Sequence, residues 1–351
     1  MQTIYIISFV AAFVVSWLCS LWVIRMASRA KILDVPDMER KFHQQATPTL
    51  GGLAVFLSFF LVTLAVGILG GHLLDGNIPF RVLLAIWVGG VVLMVGGYLD
   101  DRYQLPPYFS IIFPVVSSLL IVVSGVKAVS VHNPFTNNVI VLDQLSFLSG
   151  LVVFVWTMTL TYATKLLDGM DGLVTGIAAI GALVLFGISL TPQVMQQQTA
   201  ILAITLAGSL LGFLVLNFYP AKIFLGEGGS TFAGFMLAIL AVVSGGKIAT
   251  ALLVMGIPLL DMTWVIIQRL QSARSPFSAD RRHLHYKLLE IGFSEPKTVL
   301  FLYVLTAAFG LSALFLQSRG KLIALVILFA VMLVIIATMF SLYKKKRNKY
   351  E

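Results

Sequence analysis

The sequence predicts an all-α fold, a polytopic bundle of about eleven transmembrane helices. Of the 351 residues, 59% are hydrophobic and only 11% are charged, whereas about a quarter of the residues in a soluble domain are charged. A helix needs about 20 apolar residues to cross a bilayer, so about eleven such runs would use most of the chain. We therefore expect a single transmembrane domain over residues 1–351.

The apolar runs have the length of helices rather than of barrel strands. Residues 322–342 are apolar almost throughout, whereas barrel strands alternate in polarity over about ten residues. The first run lacks a basic start and is longer than the apolar region of a signal peptide, so we expect a retained span. The predicted spans are residues 3–26, 50–70, 81–99, 107–124, 147–164, 172–190, 199–217, 230–245, 248–268, 298–316 and 322–342.

Basic residues follow the positive-inside rule if the N-terminus faces outside and the C-terminus faces the cytosol. Of the 24 Lys and Arg, only Arg81, Lys127, Lys247, Arg319 and Lys321 then fall outside. The basic tail, residues 343–351, would touch anionic membrane lipid. We expect a multi-pass protein of the bacterial cytoplasmic membrane. Its basic residues do not cluster as a groove-reading surface, so no nucleic-acid partner is predicted.

Carboxylates gather at the inner ends of the predicted helices. A charge at the centre of a membrane helix costs at least about 2.5 kcal/mol, so such groups need a partner or a function. One carboxylate alone is more simply a helix cap. Several on one face predict that the cytosolic loops, residues 27–49, 100–106, 165–172, 218–230 and 269–297, converge around one cleft. The carboxylates are Asp100, Asp101, Asp168, Asp171, Glu227 and Asp261.

The spacing of two acidic pairs indicates different roles. Asp100 and Asp101 are adjacent, and neighbouring side chains on a helix point about 100° apart. We expect one of them to bind a cation while the other orients or deprotonates a substrate. Asp168 and Asp171 are three residues apart, so in a helix they would share a face and could hold one divalent ion or two ends of one ligand.

A glycine-rich turn follows the seventh predicted span. Gly226, Gly228 and Gly229 surround Glu227 and permit unusual backbone angles. Ser230 could cap the next helix, whose N-terminal amides attract anions. The turn is not a P-loop, because no Gly-Lys-Ser/Thr follows. Together these features predict a phosphate and metal site.

The longest predicted inner loop carries clustered basic residues and two histidines. His283 and His285 are two apart, a spacing that suits an extended segment. A zinc site would need further ligands that the loop lacks. We therefore predict phosphate contacts by Arg281, Arg282 and the two histidines.

Several motifs occur together, in a fixed order along the chain. They are Asp34-Val35-Pro36, Arg40-Lys41-Phe42-His43, Thr47-Pro48 with Gly51-Gly52, Asp100-Asp101, Asp168-Gly169-Met170-Asp171-Gly172, Asn217 to Ser230, Pro258 with Asp261, and His283-Leu284-His285. In this order they resemble the polyprenyl-phosphate N-acetylhexosamine-1-phosphate transferases over nearly the whole chain. The resemblance is greatest to the branch that makes undecaprenyl-diphosphate-GlcNAc for teichoic acid or for the O-antigen of lipopolysaccharide, and weaker to phospho-MurNAc-pentapeptide transferase.

The resemblance implies a reaction and its partners. Undecaprenyl phosphate would attack the sugar-bearing phosphate of a UDP-sugar, most simply UDP-GlcNAc, and UMP would leave. Magnesium, with manganese as a substitute, would be held by Glu227 with Asp168 or Asp171. Asp100 or Asp101 would orient the lipid phosphate and take its proton. A homodimer is a further expectation.

Basic and polar residues of the motifs and loops would bind the substrates. The expected substrate-binding residues are Arg40, Lys41, His43, Lys165, Asn217, Arg281, Arg282, His283 and His285.

The chain departs from the family pattern at a few positions. Tyr162 and Lys165 stand where relatives usually carry Asn, and Glu227 stands where they commonly carry Asp. A basic residue is often found near Ser110, and a third histidine often stands at the position of Tyr286. Substrate preference therefore stays open, with phospho-MurNAc-pentapeptide transfer as an alternative.

Two other classes of protein fit the sequence less well. A transporter or flippase of an anionic or lipid-linked substrate would place ionisable residues near the bilayer midplane, often in related halves; here they lie at helix ends, and we find no internal repeat. A CDP-alcohol phosphatidyltransferase would need several closely spaced Asp on one helix, and this chain has only Asp168 and Asp171.

Overall fold

The protein is an all-helical membrane bundle. The computed structural model describes residues 2–35, 46–71, 73, 78–127, 130–132, 139–141, 146–192, 194–244, 248–273 and 282–347. The helices are α1 (Gln2–Arg29), α2 (Gly51–Gly70), α3 (Phe80–Tyr103), α4 (Pro107–Ser110), α5 (Ile112–Val123), α6 (Ser146–Leu167), α7 (Leu173–Ser189), α8 (Gln197–Asn217), α9 (Gly226–Val243), α10 (Ile248–Val254), α11 (Gly256–Gln271), α12 (Leu284–Glu290), α13 (Glu295–Phe315) and α14 (Ser318–Arg347).

Two short antiparallel strand pairs lie outside the bundle. One joins β1 (Leu33–Asp34) to β2 (Thr47–Pro48), beside the start of α2. The other joins β3 (Ser130–His132) to β4 (Val139–Val141), between α5 and α6.

The predicted spans agree with the helices, and a multi-pass membrane protein is confirmed. Each predicted span coincides with a helix or a helix pair. Among the described residues, 8 helices are long and apolar enough to cross a membrane, or up to 9 if α10 and α11, bent by 75°, form one broken span. The helix α7 has 17 residues and would reach about 26 Å, slightly less than a bilayer core. The count of eleven and the orientation stay predictions.

Close backbone contacts place the start of α9 between α2 and α3. A Cβ atom at Gly97 of α3 would overlap the backbone of Gly228, and one at Gly52 of α2 would overlap the backbone of Gly229. Small residues allow membrane helices to pack this closely. The acidic end of α3 and the first turn of α9 are therefore held together.

Gly52→Ala tests this close approach. The added methyl would meet backbone that cannot rotate away, so we expect the free energy of unfolding to fall by about 1–3 kcal/mol. The measurement is the thermal unfolding temperature of the purified protein in detergent. Gly67→Ala on the same helix is the matched control, because the nearest atom to its Cβ, Leu73 Cβ, lies 3.9 Å away. Equal unfolding temperatures for the two variants would contradict the packing described.

Candidate active site

The segment between α6 and α7 is a turn rather than a helix. The helix α6 ends at Leu167 and α7 begins at Leu173, and Gly172 has a left-handed backbone with φ of 74°. Glycine adopts this conformation without steric cost. The helical arrangement considered for Asp168 and Asp171 is therefore not formed, and the two side chains do not share a helix face.

Asp171 forms hydrogen bonds with two neighbouring elements. Its Oδ2 accepts a hydrogen bond of 2.8 Å from the amide of Ala221, in the turn between α8 and α9. Its own amide donates to Oε1 of Glu295, in the first turn of α13, at 3.2 Å. These contacts give Asp171 a part in positioning the loops.

Asp101 fastens α3 to the start of α9. Its Oδ1 accepts a hydrogen bond of 3.2 Å from the amide of Glu227. Gly226 has a φ of 74°, and a Cβ there would lie 2.5 Å from Asp101 Oδ2. That oxygen is buried and has no hydrogen bond of normal geometry within the described part of the chain, although the Leu50 amide is close enough to stabilise the charged carboxylate.

Asp168 lies among other carboxylates. The protein packed around its carboxyl group removes water and raises its pKa to about 8, and the charges of Asp101 and Glu227 act in the same direction. Asp100, which is half-buried, interacts electrostatically with both Asp101 and Glu227. The structure thus brings together the carboxylates at the end of α3, after the end of α6 and at the start of α9.

Glu227 has a basic partner. Lys165 Nζ lies 2.5 Å from Glu227 Oε1 and donates to Ser110 Oγ at 3.0 Å. Ser110 Oγ in turn lies 3.4 Å from Glu227 Oε1. The ammonium also lies 5.5 Å from the centroid of the Tyr162 ring. Three positions that depart from the family pattern, Ser110, Lys165 and Glu227, thus meet at one place.

Asp261 serves the histidine segment rather than the carboxylate cluster. Its Oδ2 lies 2.8 Å from His283 Nδ1, and its Oδ1 accepts a hydrogen bond of 2.7 Å from the amide of Leu284. His283 precedes α12 and His285 lies in its first turn, so the expected extended segment is wrong for His285. The two imidazole rings stack with centroids 5.6 Å apart.

His285 is buried beside the Asp168 loop. Burial lowers its pKa to about 4, and the nearby His283 adds to this, although Asp261 opposes it. Neither ring nitrogen has a hydrogen-bond partner among the residues described. Its Nε2 would lie 2.7 Å from a Cβ at Gly169. A neutral imidazole is therefore directed at the loop that carries Asp168.

Two other predicted substrate-binding residues contact protein. Arg282 Nη1 donates to the Gln268 carbonyl at 3.0 Å and to Ser272 Oγ at 3.1 Å, at the end of α11. Asn217 donates from Nδ2 to the Ile223 carbonyl at 2.9 Å and accepts from Thr175 Oγ1 at 2.7 Å. Asn217 therefore shapes the turn that leads to Glu227. The remaining predicted residues Arg40, Lys41, His43 and Arg281 lie outside the described residues.

The donor atoms suit a hard divalent cation. Within the described ranges, no three His, Cys, Asp or Glu side chains already form a group that could hold a metal ion. The cluster nevertheless offers carboxylate oxygens, the ligands that magnesium prefers. Asp101 Oδ2 has no hydrogen bond of normal geometry within the described residues, and the negative charges of Asp101 and Glu227 disfavour the charged form of Asp168. A divalent cation would relieve this excess of negative charge.

Sequence reasoning missed residues that brace the site from outside the motifs. Glu295 contacts Asp171, and Tyr303 donates to the carbonyl of Gly172. Glu295 could have been noticed as one more carboxylate at an inner helix end. Tyr303 gives no such signal, because nothing near it in the sequence indicates a contact with the loop between α6 and α7.

Comparison with known proteins agrees with the motifs. Residues 83–245 match glycosyl transferase family 4. A Bacillus subtilis protein named probable undecaprenyl-phosphate N-acetylglucosaminyl 1-phosphate transferase is 31% identical, over 97% of this chain and 94% of its own length. A decaprenyl-phosphate N-acetylglucosaminephosphotransferase of Mycobacterium tuberculosis is 33% identical, over 93% and 86%.

A Yersinia pestis protein named undecaprenyl-phosphate alpha-N-acetylglucosaminyl 1-phosphate transferase is 30% identical, over 88% of this chain and 81% of its own length. The family suggested by the motifs is thus confirmed. The chain belongs to glycosyl transferase family 4, within the group of polyprenyl-phosphate N-acetylhexosamine-1-phosphate transferases.

Proposed function

We propose that the protein transfers GlcNAc-1-phosphate from UDP-GlcNAc to undecaprenyl phosphate at the cytosolic face of the bacterial cytoplasmic membrane. The observation that carries this proposal is the meeting of Asp100, Asp101, Asp168 and Glu227 beside Lys165 at one end of the bundle. The names of the relatives support the acceptor class and the sugar. The product would start a cell-envelope polysaccharide such as teichoic acid or O-antigen.

The reaction is a phosphoryl transfer. An oxygen of the lipid phosphate attacks the phosphorus that bears the sugar, and the bond from that phosphorus to the oxygen bridging the diphosphate breaks. UMP leaves with that oxygen. Such reactions need the protein mainly to align the reactants and to neutralise charge on the phosphate oxygens.

The carboxylates divide between metal binding and acceptor binding in this proposal. Asp168 and Glu227 would hold magnesium or manganese, which supplies positive charge to the diphosphate when bound. Asp171, proposed from the sequence as a third ligand, already accepts the Ala221 amide and suits this role less well. Asp101 accepts a hydrogen bond from the Glu227 amide, whereas Asp100 is half-buried and does not accept that hydrogen bond. This difference favours Asp100 as the group that takes a proton from the lipid phosphate.

Basic and polar groups would bind the donor. His285 is a neutral hydrogen-bonding group beside Gly169, and Lys165 supplies positive charge. The other proposed substrate-binding residues are Arg40, Lys41, His43, Asn217, Arg281, Arg282 and His283. The undecaprenyl chain would lie against the apolar helices, within the membrane.

His285→Gln tests whether His285 acts as a neutral group. Because its pKa is lowered to about 4, His285 carries no charge between pH 5.5 and 8. The variant should lose about tenfold in kcat/KM through one weakened hydrogen bond to a charged group. The shape of the pH profile over that range should stay that of the wild type. If a limb of the profile disappeared in the variant, His285 would be a titrating cation instead.

The function is tested by UMP release from the purified full-length protein in detergent. The reactions contain undecaprenyl phosphate with UDP-GlcNAc, UDP-GalNAc or UDP-MurNAc-pentapeptide, each with and without magnesium. We expect magnesium-dependent UMP release with UDP-GlcNAc. UMP release with only one of the other donors would keep the reaction and change the donor sugar. No UMP release with any donor would favour a transporter.

A further inference from the structure

Lys165 and Glu227 form a contact that would compete with a divalent cation for the negative charge of Glu227. The ammonium nitrogen lies 2.5 Å from Oε1, and the two side chains are only 21% and 14% exposed. A divalent cation would bind a carboxylate oxygen at about 2.0–2.6 Å. A divalent cation at the Glu227 carboxylate would lie close to the Lys165 ammonium, and the two positive charges would repel each other in a site with little water.

Ser110 holds the ammonium in this place. Its hydroxyl accepts from Lys165 Nζ at 3.0 Å and lies 3.4 Å from Glu227 Oε1. Ser110 is the last residue of α4 and is 5% exposed, so its position is fixed by the break between α4 and α5. An ammonium has three N–H groups. Two are used by Ser110 and Glu227, and one is left for a ligand.

The ammonium group of Lys165 is also suited to binding a phosphate. The four-carbon stem is flexible, and the charge is compact and well suited to phosphate. The side chain is 21% exposed, so part of it borders open space. A diphosphate placed beside the carboxylate cluster would be the strongest anion available to it.

We propose that Lys165 exchanges partners: it neutralises Glu227 in the free protein and moves to the donor diphosphate when the donor binds, which opens Glu227 to the divalent cation. Ser110 is the positioning residue for the first state. This inference rests on the proposed function, because it takes the donor to be a nucleotide-linked diphosphate. Its consequence is that donor and cation bind cooperatively, each increasing the affinity for the other.

The test measures cation binding without turnover. Mn²⁺ is titrated into the full-length protein in detergent, without lipid acceptor, and free Mn²⁺ is read by its paramagnetic resonance signal, with and without UDP-GlcNAc. In the wild type, UDP-GlcNAc should lower the Kd for Mn²⁺ by about tenfold, within the usual range of coupling between sites. Lys165→Met should bind Mn²⁺ alone about tenfold more tightly, bind UDP-GlcNAc more weakly, and show weaker coupling than the wild type, because only the direct attraction between cation and diphosphate remains.

Two further variants control for structural effects. Lys165→Arg keeps the charge, so its Mn²⁺ affinity without donor should stay near the wild-type value. Lys297→Met removes an exposed lysine near the start of α13 and should change neither affinity nor coupling. Thermal unfolding of each variant confirms that it is folded.

The result that overturns the inference is a Lys165→Met protein whose Mn²⁺ affinity is unchanged or weaker, or one whose coupling is as strong as that of the wild type. A wild type without coupling overturns it as well. UMP release by the wild type decides the proposed function separately. If the wild type releases UMP but Lys165→Met does not bind Mn²⁺ more tightly, the proposed function stands and the proposed exchange of partners by Lys165 is rejected.

Discussion

Glu227→Gln should abolish turnover, with a loss of about three orders of magnitude in kcat, corresponding to about 4 kcal/mol. The substitution keeps the size of the side chain and removes its charge. Lys165 then loses the carboxylate 2.5 Å from its ammonium, and the proposed cation loses a ligand. UMP release under saturating magnesium measures the effect.

Glu290→Gln serves as the matched control, because Glu290 ends the short helix α12 and is exposed. It should retain wild-type activity. Both variants should remain inserted in the membrane and monodisperse. Substantial activity in Glu227→Gln would remove Glu227 from the metal-binding role.

Asp168→Asn should have opposite effects on activity and stability. The carboxyl group is desolvated and lies near Asp101 and Glu227, which repel its charged form. The neutral amide removes that repulsion, so the unfolding temperature in the presence of a chelator should rise by several degrees. Activity should fall by about three orders of magnitude, because the proposed cation loses a ligand. A gain in stability with a loss of activity is expected where an active site is built at the expense of stability.

Asp171→Asn is the comparison that separates the two acids. Asparagine keeps a carbonyl oxygen that can accept the Ala221 amide, as Asp171 does at 2.8 Å. The variant should therefore keep most of the activity and the wild-type unfolding temperature. Loss of activity equal to that of Asp168→Asn would make Asp171 a metal ligand, as the sequence first suggested.

The helices could be predicted from hydrophobic runs because each span must satisfy its own backbone in lipid. Span ends were less predictable. The helix α3 continues to Tyr103, so Asp100 and Asp101 lie inside its last turn rather than beyond it. The span predicted at 248–268 is broken at Met255 and bent by 75°, a change that an uninterrupted apolar run does not reveal.

The identity of the acidic residues at the site could also be predicted, but their partners could not. Six carboxylates at inner helix ends suggested one cleft, whereas Asp261 pairs with His283 and Asp171 with the Ala221 amide. The helical spacing considered for Asp168 failed because Gly172 turns the chain before α7. These pairings depend on how distant elements pack, which the spacing along the chain does not encode.

The contact between Lys165 and Glu227 is the main feature of the site that the structure shows and the sequence alone does not. The two residues are far apart in the chain, and in the sequence they stand only as separate departures from the family pattern. In the structure they meet with Ser110, so these departures belong to one group of contacting side chains.

The mass of the lipid product tests the central claim most directly. Undecaprenyl phosphate and UDP-GlcNAc are incubated with the purified protein and magnesium, and the lipid fraction and the nucleotide are analysed by mass spectrometry. The account predicts undecaprenyl-diphosphate-GlcNAc together with an equal amount of UMP, because the sugar moves with its phosphate. Undecaprenyl-monophosphate-GlcNAc together with UDP would show that the sugar moves alone, and would contradict phosphoryl transfer by this site.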